Sequence, residues 1–499
     1  MVASFWSLRD FSLAHRRGDG EELLLSGATI DVPIGGFYLL VGKSGGGKSS
    51  LVRLCVGLFD PREPLPRTKG GFDCLGESVV SGPSRALRKR MAAILQEEGL
   101  LDELTPRQNV ELALRAAGRS KRLAPALLAQ VGLDPLPDRV ASMSGGMRKR
   151  LAVARALAAE PEALFCDEPT AGLDSQSAAQ IAALLRLAHD SSPGRTTIVV
   201  THDLAAFDGL HDGILELDRS TRTLSMRTAG DAATDPVVVG PLPDRESENN
   251  LVHAMRHATL AVGGLAHTFA VSVLRLPPFE MRSTLRSVVE CSLSPLPFVA
   301  GASAAIGGIA TFFALRNNPV DGGFEAEILQ GTGKVLVSVL VPLLCAFFFV
   351  ARIAAGATAR LGTMTRNHQV MALRMMGIDP ADYLLTPLVW GMVLGLPVAT
   401  FVGAVFASLA GLIAAQAVSG TSTLGFVQTW FRDVDPLDLK AALGKAALSG
   451  YLVALVCYHL GSGPKRSGAD VGEAVNRAIV HAMGIALIVH ATVTLCVYV

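Results

Sequence analysis

The segment Gly42 to Ser49 has glycine, lysine and serine in an order that suits phosphate binding. It reads GKSGGGKS, follows the apolar run FYLLV and precedes a stretch typical of a helix. Glycine backbone N–H groups can surround phosphate oxygens, Lys48 reaches the outer phosphates, and the Ser49 hydroxyl binds Mg²⁺. The predicted nucleotide-binding residues are Gly42, Lys43, Ser44, Gly45, Gly46, Gly47, Lys48, Ser49 and Ser50.

A second chemical element is the pair of carboxylates in ALFCDEPTAGLD, residues 163 to 174. Asp167 ends an apolar run that predicts a buried strand, and it is placed to hold Mg²⁺ through water. Glu168 follows directly and is placed to orient and deprotonate the water that attacks the terminal phosphate. An apolar strand that ends in Asp-Glu is common in α/β folds, so the prediction depends on its pairing with the phosphate-binding segment.

The region between these two elements resembles the ABC ATPases. In SMSGGMRKRLAVARAL, residues 142 to 157, the family's signature motif matches Ser144, Gly145, Gly146 and Met147, and a basic helix follows. Methionines at 143 and 147 replace the usual leucine and glutamine. The serine and the backbone amides that grip the γ-phosphate in this family remain, so the resemblance implies a functional motif.

Three further motifs stand in the family's order. Gln96 resembles the Q-loop glutamine, Asp174 in AGLD the D-loop aspartate, and His202 after TTIVVT the switch histidine. The resemblance implies an α/β P-loop fold that hydrolyses ATP. The implied catalytic residues are Glu168, His202 and Gln96, and the implied Mg²⁺ ligands are Ser49, Gln96 and, through water, Asp167.

His15, in FSLAHRRG, falls where the family often has a tyrosine that stacks on adenine. A histidine stacks weakly, and a residue of a surface loop is an equally good interpretation.

The signature motif also bears on assembly, because in this family it completes the nucleotide site of a second ATPase subunit. The chain has one phosphate-binding segment and one signature motif. The resemblance therefore implies a homodimer with two composite sites.

The elements around these motifs divide the 499-residue chain into two unlike halves. Residues 1–218 alternate short apolar runs with polar helices and form the predicted ATPase domain, and the polar residues 219–250 form a predicted linker. Residues 251–499 form the predicted membrane domain, which begins with a basic interfacial segment at 251–284. The formal net charge of +1 gives no support for nucleic-acid binding.

Five apolar runs in the second half are long enough to span a bilayer. They cover residues 285–315, 335–358, 383–415, 443–461 and 478–499. The predicted fold class is an α/β P-loop NTPase domain followed by an all-α polytopic membrane domain of about five transmembrane helices. The third run holds Pro387 and Pro397 and is either one kinked helix or a broken pair. Basic residues favour the loops 359–382 and 461–477 on the cytoplasmic side, which places the C-terminus outside.

The stretch 342–391 resembles the MlaE-type permeases of bacterial lipid transport. The residues that carry the resemblance are Arg352, Gly356, Gly362-Thr363-Met364, Gln369, Met375-Met376, Gly377-Ile378-Asp379-Pro380 and Pro387. The family usually has glutamates where this chain has Arg360 and His368. The resemblance implies a dimeric ATPase–permease in the bacterial inner membrane that moves phospholipids or similar lipids, commonly with an Mce-domain lipid-binding protein outside.

Residues 360–380, between the second and third apolar runs, are basic and rich in methionine. Their inward position and helix-compatible sequence predict a coupling segment that contacts the ATPase near Gln96. The residues assigned to it are Arg360, Met364, Arg366, His368, Arg374 and Asp379.

Two other classes of function stay open at this point. An exporter of peptides or other hydrophobic substrates would favour six spans with long cytosolic helices. A mechanical complex that moves a partner protein would need a large domain outside the membrane, whereas the predicted outer loops are short.

Overall fold

The computed structural model describes residues 4–17, 20–43, 45–59, 66–228, 268–269, 281–317, 324–465 and 467–498. It divides into two compact units. The first is Met1–Asn249 together with Asn367–Asp379, and the second is Asn250–Arg366 together with Pro380–Val499. The predicted interfacial segment at 251–284 lies almost wholly outside the described residues.

In its described residues, the first unit contains two sheets. The four-stranded antiparallel sheet has the order β2-β1-β4-β5, and the six-stranded sheet has the order β10-β9-β3-β8-β7-β6. The strands are β1 Ser4–Arg17, β2 Gly20–Pro33, β3 Phe37–Gly42, β4 Arg67–Cys74, β5 Glu77–Ser78, β6 Met91–Ile94, β7 Ala163–Asp167, β8 Thr196–Val200, β9 Gly213–Asp218 and β10 Thr223–Thr228.

The six-stranded sheet is covered on both faces. Strands β6, β7, β8, β3 and β9 are parallel, and their apolar runs are buried. Neighbouring side chains point to opposite faces: Leu40 packs with the antiparallel sheet, whereas Leu39 packs with the helices. This burial on both faces explains why β7 and the apolar part of β3 are continuous apolar runs, whereas β9, GILELD, alternates between buried and partly exposed residues.

The helices of the first unit connect these strands or cover the sheet. They are α1 Lys48–Val56, α2 Arg85–Lys89, α3 Pro106–Ala116, α4 Ala124–Gln130, α5 Gly145–Leu157 and α6 Ser175–Asp190.

Strand β10 extends the sheet into the range predicted as a linker. It pairs antiparallel with β9 from Thr223 to Thr228. The prediction that residues 219–250 are a linker is therefore wrong for residues 223–228, which form a strand. Side chains in TLSMRT alternate between the two faces of the strand, and this alternation buries Leu224 against the sheet. Residues 229–250 lie outside the described part of the chain.

The second unit is helical in its described residues. Its helices are α7 Met281–Leu293, α8 Leu296–Arg316, α9 Glu325–Val335, α10 Val341–Phe349, α11 Ala355–Arg366, α13 Thr386–Ser419, α14 Thr423–Trp430, α15 Pro436–Gly461 and α16 Gly468–Tyr498, while α12 Gln369–Met375 belongs to the first unit. Several join through π-helical turns at Leu336–Leu340, Val350–Ala354 and Ala381–Leu385.

Among the described residues, five helical segments are long and apolar enough to cross a membrane, which confirms the predicted fold class. They are Met281–Arg316, Glu325–Arg366, Ala381–Ser419, Pro436–Gly461 and Gly468–Tyr498. The third apolar run is a single helix, because α13 continues through Pro397 to Ser419. The alternative of a broken pair is therefore wrong.

The predicted boundary of the membrane domain also needs correction. Residues 367–379 pack with the first unit, although the prediction assigned 251–499 to the membrane domain. His368 explains the break between α11 and α12, since its left-handed φ of 54° ends the run of helical backbone.

Helices α8 and α13 approach closely at Gly307. A Cβ built on Gly307 would lie 2.6 Å from the Cα of Ala407 and would overlap the Ala407 carbonyl oxygen. A side chain there would force the two helices apart. Small residues commonly serve this purpose between membrane helices.

We therefore expect Gly307→Val to lower the stability of the helical unit by about 1–3 kcal/mol, the usual cost of overpacking. Gly301 is the matched control, because nothing lies within 4 Å of a Cβ added there on the same helix. The midpoint of thermal unfolding of the detergent-solubilised chain should fall for Gly307→Val and stay near wild type for Gly301→Val. Equal midpoints would contradict this close approach.

Candidate functional site

The phosphate-binding segment joins the end of β3 to the start of α1. Gly47 caps α1 with φ 102°, and a Cβ built on it would lie 2.9 Å from the Cβ of Leu24. Both conditions favour glycine, which agrees with the need for bare backbone beside a phosphate. Ser44 lies outside the described residues, and Ser50 is on the first turn of α1.

Lys48 is folded over this segment. Its ammonium donates to the carbonyl oxygens of Gly42 at 2.7 Å and Lys43 at 3.1 Å, and lies 3.4 Å from His202 Nε2. Burial lowers the pKa of Lys48, and the negative charges of Glu168 and Asp167 partly oppose that shift. The cation is therefore held at the mouth of the glycine-rich turn, where phosphate oxygens would bind.

Ser49 and Asp167 meet directly. The Ser49 hydroxyl donates to Asp167 Oδ1 at 3.1 Å, and Asp167 is buried at the end of β7. A hydroxyl and a carboxylate oxygen at this separation are ligands of the kind Mg²⁺ prefers. These two residues fit the metal site that the sequence predicts.

Glu168 lies beside the predicted switch histidine. His202 Nε2 is 3.2 Å from Glu168 Oε1, and the Glu168 N–H donates to the carbonyl of Val200 on β8. Burial raises the pKa of Glu168, Asp167 raises it further, and His202 opposes the shift. A carboxylate with a raised pKa is a stronger base, as a water-activating residue requires.

The signature and D-loop residues cap two helices. The Ser144 hydroxyl accepts from Met147 N–H at 3.3 Å at the start of α5, and Ser144 and Gly145 are exposed. Asp174 accepts from Ser177 N–H at 2.9 Å at the start of α6. With Gln96, these ends surround a cleft of about 380 Å³ lined by residues 96–98, 145, 148–149 and 171–173.

His15 lies on strand β1, where it pairs with Glu22 on β2 and is exposed. The interpretation as a loop residue is therefore wrong. Stacking of His15 on adenine stays a prediction.

The predicted coupling segment is divided between the two units. Arg360, Met364 and Arg366 lie on α11 in the second unit, while residues 367–379 pack within the first unit. There the Gln369 side-chain amide donates to Asp102 Oδ2 at 2.8 Å, and Arg374 Nη1 lies 3.5 Å from the carbonyl oxygen of Phe59.

Backbone packing brings the same segment close to the Q-loop. A Cβ built on Gly99 would lie 2.9 Å from both the carbonyl oxygen of His368 and the Cβ of Ala372. Gly99 has φ 57°, so its conformation and its neighbours both favour glycine. Asp379 is exposed beyond the end of α12.

Sequence reasoning missed Lys149, which is nearly buried on α5 and bonded to the Gln96 carbonyl. The sequence around it shows only a basic helix. Glu98, two residues after Gln96, is the sequence feature from which a buried ion pair with a basic residue of α5 could be predicted.

Two family models match this chain. The ABC transporter model matches residues 25–171, and the MlaE permease model matches residues 284–496. MetN of Caulobacter vibrioides, a methionine import ATP-binding protein, is 34% identical over 241 residues, which cover 46% of this chain and 70% of that protein. The chain belongs to the ABC transporter family. It joins an ABC ATPase domain and an MlaE permease domain in one polypeptide.

Other similar proteins share only part of this architecture. MetN of Brucella abortus is 35% identical, and the match covers 41% of this chain and 55% of that protein. The macrolide export ATP-binding/permease protein MacB of Escherichia coli O157:H7 is 36% identical over 39% of this chain and 30% of its own length. A solved dimeric ATP-binding cassette with ADP and Pi has a TM-score of 0.40 and 24% identity, and covers 46% of this chain and all of its own.

In this ABC transporter, the first unit therefore hydrolyses ATP. The second unit contains the candidate membrane-spanning helices, so the chain is a multi-pass membrane protein. Within the candidate hydrolytic site, the described contacts pair Lys48 with His202, Ser49 with Asp167, and Glu168 with His202.

We expect Glu168→Gln to bind ATP and lose turnover by about 10²–10⁴-fold, the usual contribution of a positioned base. The amide keeps the size of the side chain but cannot accept the proton. Steady-state hydrolysis and nucleotide binding by the purified chain would separate the two effects. Near-normal turnover would remove Glu168 from the role of base.

Proposed function

We propose that this ABC transporter moves phospholipids or related lipids across or out of the bacterial inner membrane, driven by ATP hydrolysis. The observation that carries the proposal is the MlaE permease match over 284–496 in the same chain as the Ser49–Asp167 and Glu168–His202 contacts of the candidate hydrolytic site. The ATPase unit faces the cytoplasm, and the residues that would hold Mg²⁺ there are Ser49, Gln96 and, through water, Asp167.

The transporter works as a homodimer. Ser144 and Gly145 are exposed at the N-terminus of α5, where backbone amides and the helix dipole favour a negatively charged group. Each chain supplies one such end and one phosphate-binding segment. A second copy is therefore needed to complete each nucleotide site.

Residues 367–379 couple hydrolysis to movement in the membrane unit. They follow α11 directly and pack on the segment Gly99–Asp102, just beyond Gln96. A change at Gln96 on ATP binding would thus be transmitted through packed backbone to residues covalently continuous with α11. An Mce-domain lipid-binding protein outside the membrane is the partner that the permease resemblance supports.

The alternative is an exporter of another hydrophobic substrate or peptide, or a mechanical complex without a transported substrate. The similarity to MacB, a macrolide export protein, favours the exporter among these. That similarity covers 39% of this chain, whereas the permease model spans three of the five candidate membrane segments in the described residues completely and most of the first and the last.

Lipid transport is tested with the full chain in phospholipid vesicles. ATP should drive movement of labelled phospholipid, and Glu168→Gln should abolish it. Mass spectrometry should find lipid bound to the detergent-solubilised dimer. ATP-driven movement of a macrolide or peptide without lipid movement would support the alternative.

We expect Arg374→Glu to uncouple transport from hydrolysis, because it places a negative charge beside the Phe59 carbonyl oxygen. Lipid moved per ATP should fall at least about fivefold, the lower range of coupling energies, while hydrolysis continues. Arg432→Glu is the matched control, since Arg432 is exposed in the second unit. Unchanged coupling in Arg374→Glu would exclude this role for α12.

A further inference from the structure

Lys149, on the second turn of α5, holds the segment that contains Gln96. Only 4% of the residue is exposed. Its ammonium donates to the Gln96 carbonyl oxygen at 2.6 Å and lies 3.2 Å from Glu98 Oε1. A lysine charge removed from water needs such partners. Both of these partners lie within three consecutive residues of the Q-loop.

Arg155, further along α5, holds the next part of the same segment. Its guanidinium donates to the carbonyl oxygens of Gly99 at 2.6 Å and Glu98 at 2.5 Å. Burial lowers the pKa of Arg155 to about 10, and the Glu98 charge opposes the shift. Arg155 therefore fixes the far end of the segment, while Lys149 is the α5 side chain bonded to Gln96 itself.

The two ends of the Lys149 link serve different ATP sites in the proposed homodimer. Gln96 belongs to the site of its own chain. The signature residues Ser144 and Gly145 begin the same helix as Lys149 and complete the site of the partner. Gly145 is four residues before Lys149, a rise of about 6 Å along one rigid helical turn.

We propose that Lys149 is a positioning residue that links the two ATP sites, so that binding at one alters Gln96 at the other. This inference rests on the proposed homodimer. When nucleotide in the partner's site engages the start of α5, the helix moves and carries the Gln96 carbonyl through the Lys149 bond. A link of this kind is a coupling free energy between two sites, and it appears as cooperative dependence on ATP.

A purely structural role makes a different prediction. If Lys149 only neutralises Glu98 and fills space, its loss lowers thermal stability but leaves the shape of the ATP dependence unchanged. The shape of that curve therefore separates the two roles.

The experiment compares Lys149→Met, Lys149→Arg and Arg150→Met in the full chain in phospholipid vesicles. Arg150 is the matched control, because it lies next to Lys149 on α5 but donates to Gln180 at 2.7 Å and Gly132 at 3.4 Å. Initial rates of hydrolysis are measured against ATP concentration, together with the midpoint of thermal unfolding.

The wild type should show a Hill coefficient above 1 and below about 2, the limit for two sites. Lys149→Met should lower it to about 1, the value for independent sites. Lys149→Arg should retain cooperativity because it keeps the charge and the donors, and Arg150→Met should retain it whatever its thermal midpoint.

A wild-type Hill coefficient in Lys149→Met would overturn the inference, as would an equal loss in Arg150→Met. If Lys149→Met does not accumulate, the double variant Lys149→Met/Glu98→Gln leaves no unpaired carboxylate at residue 98 and still removes the bond to the Gln96 carbonyl, so an unchanged Hill coefficient there is equally decisive. Non-cooperative hydrolysis by the wild type overturns the link but leaves the transport proposal intact. Absence of wild-type hydrolysis contradicts the proposed function, and the link falls with it.

Discussion

The candidate hydrolytic site depends on the alignment of three parallel strands. Leu40 on β3 pairs with Val200 on β8, and Val200 pairs with Asp167 on β7. Because the carboxyl ends of these strands meet at one edge, the residues that follow them converge. Each strand is buried on both faces, so a shift in register would expose apolar side chains as well as separate the site. Packing of the sheet therefore determines the relative positions of the site residues.

The residues that follow Gln96 connect the candidate nucleotide site to other parts of the first unit. Residues 96–99 are bonded to α5 through Lys149 and Arg155, and Gly99 also contacts the backbone of His368. The segment is thus held between the helix that carries the signature motif and the residues that follow α11. A short stretch with fixed partners on two sides can transmit a displacement, because close-packed groups do not absorb it by local rearrangement.

The sequence is sufficient to predict one site for Asp167, Glu168 and His202, which follow recognisable apolar strands, and for Ser49, which follows the glycine-rich turn after another strand. It also predicts the number of membrane segments from apolar length. It does not predict the Lys149–Glu98 pair, because 51 positions separate the two residues. Nor does it indicate β10 within a polar stretch, where pairing with β9 outweighs composition.

His368 shows how a departure from a family pattern can be accommodated. The close approach to Gly99 uses the His368 carbonyl oxygen, so the main chain rather than the side chain makes the contact. Burial lowers the pKa of His368, the Glu97 charge opposes the shift, and Arg53 lowers the pKa further. The lowered pKa favours the neutral form of the imidazole. His368, which stands where the resemblance leads us to expect a glutamate, therefore contributes less positive charge than a solvated histidine would. This contact depends more on glycine at position 99 than on the residue type at position 368. A side chain on residue 99 would clash with the main-chain carbonyl of residue 368, which every residue type has.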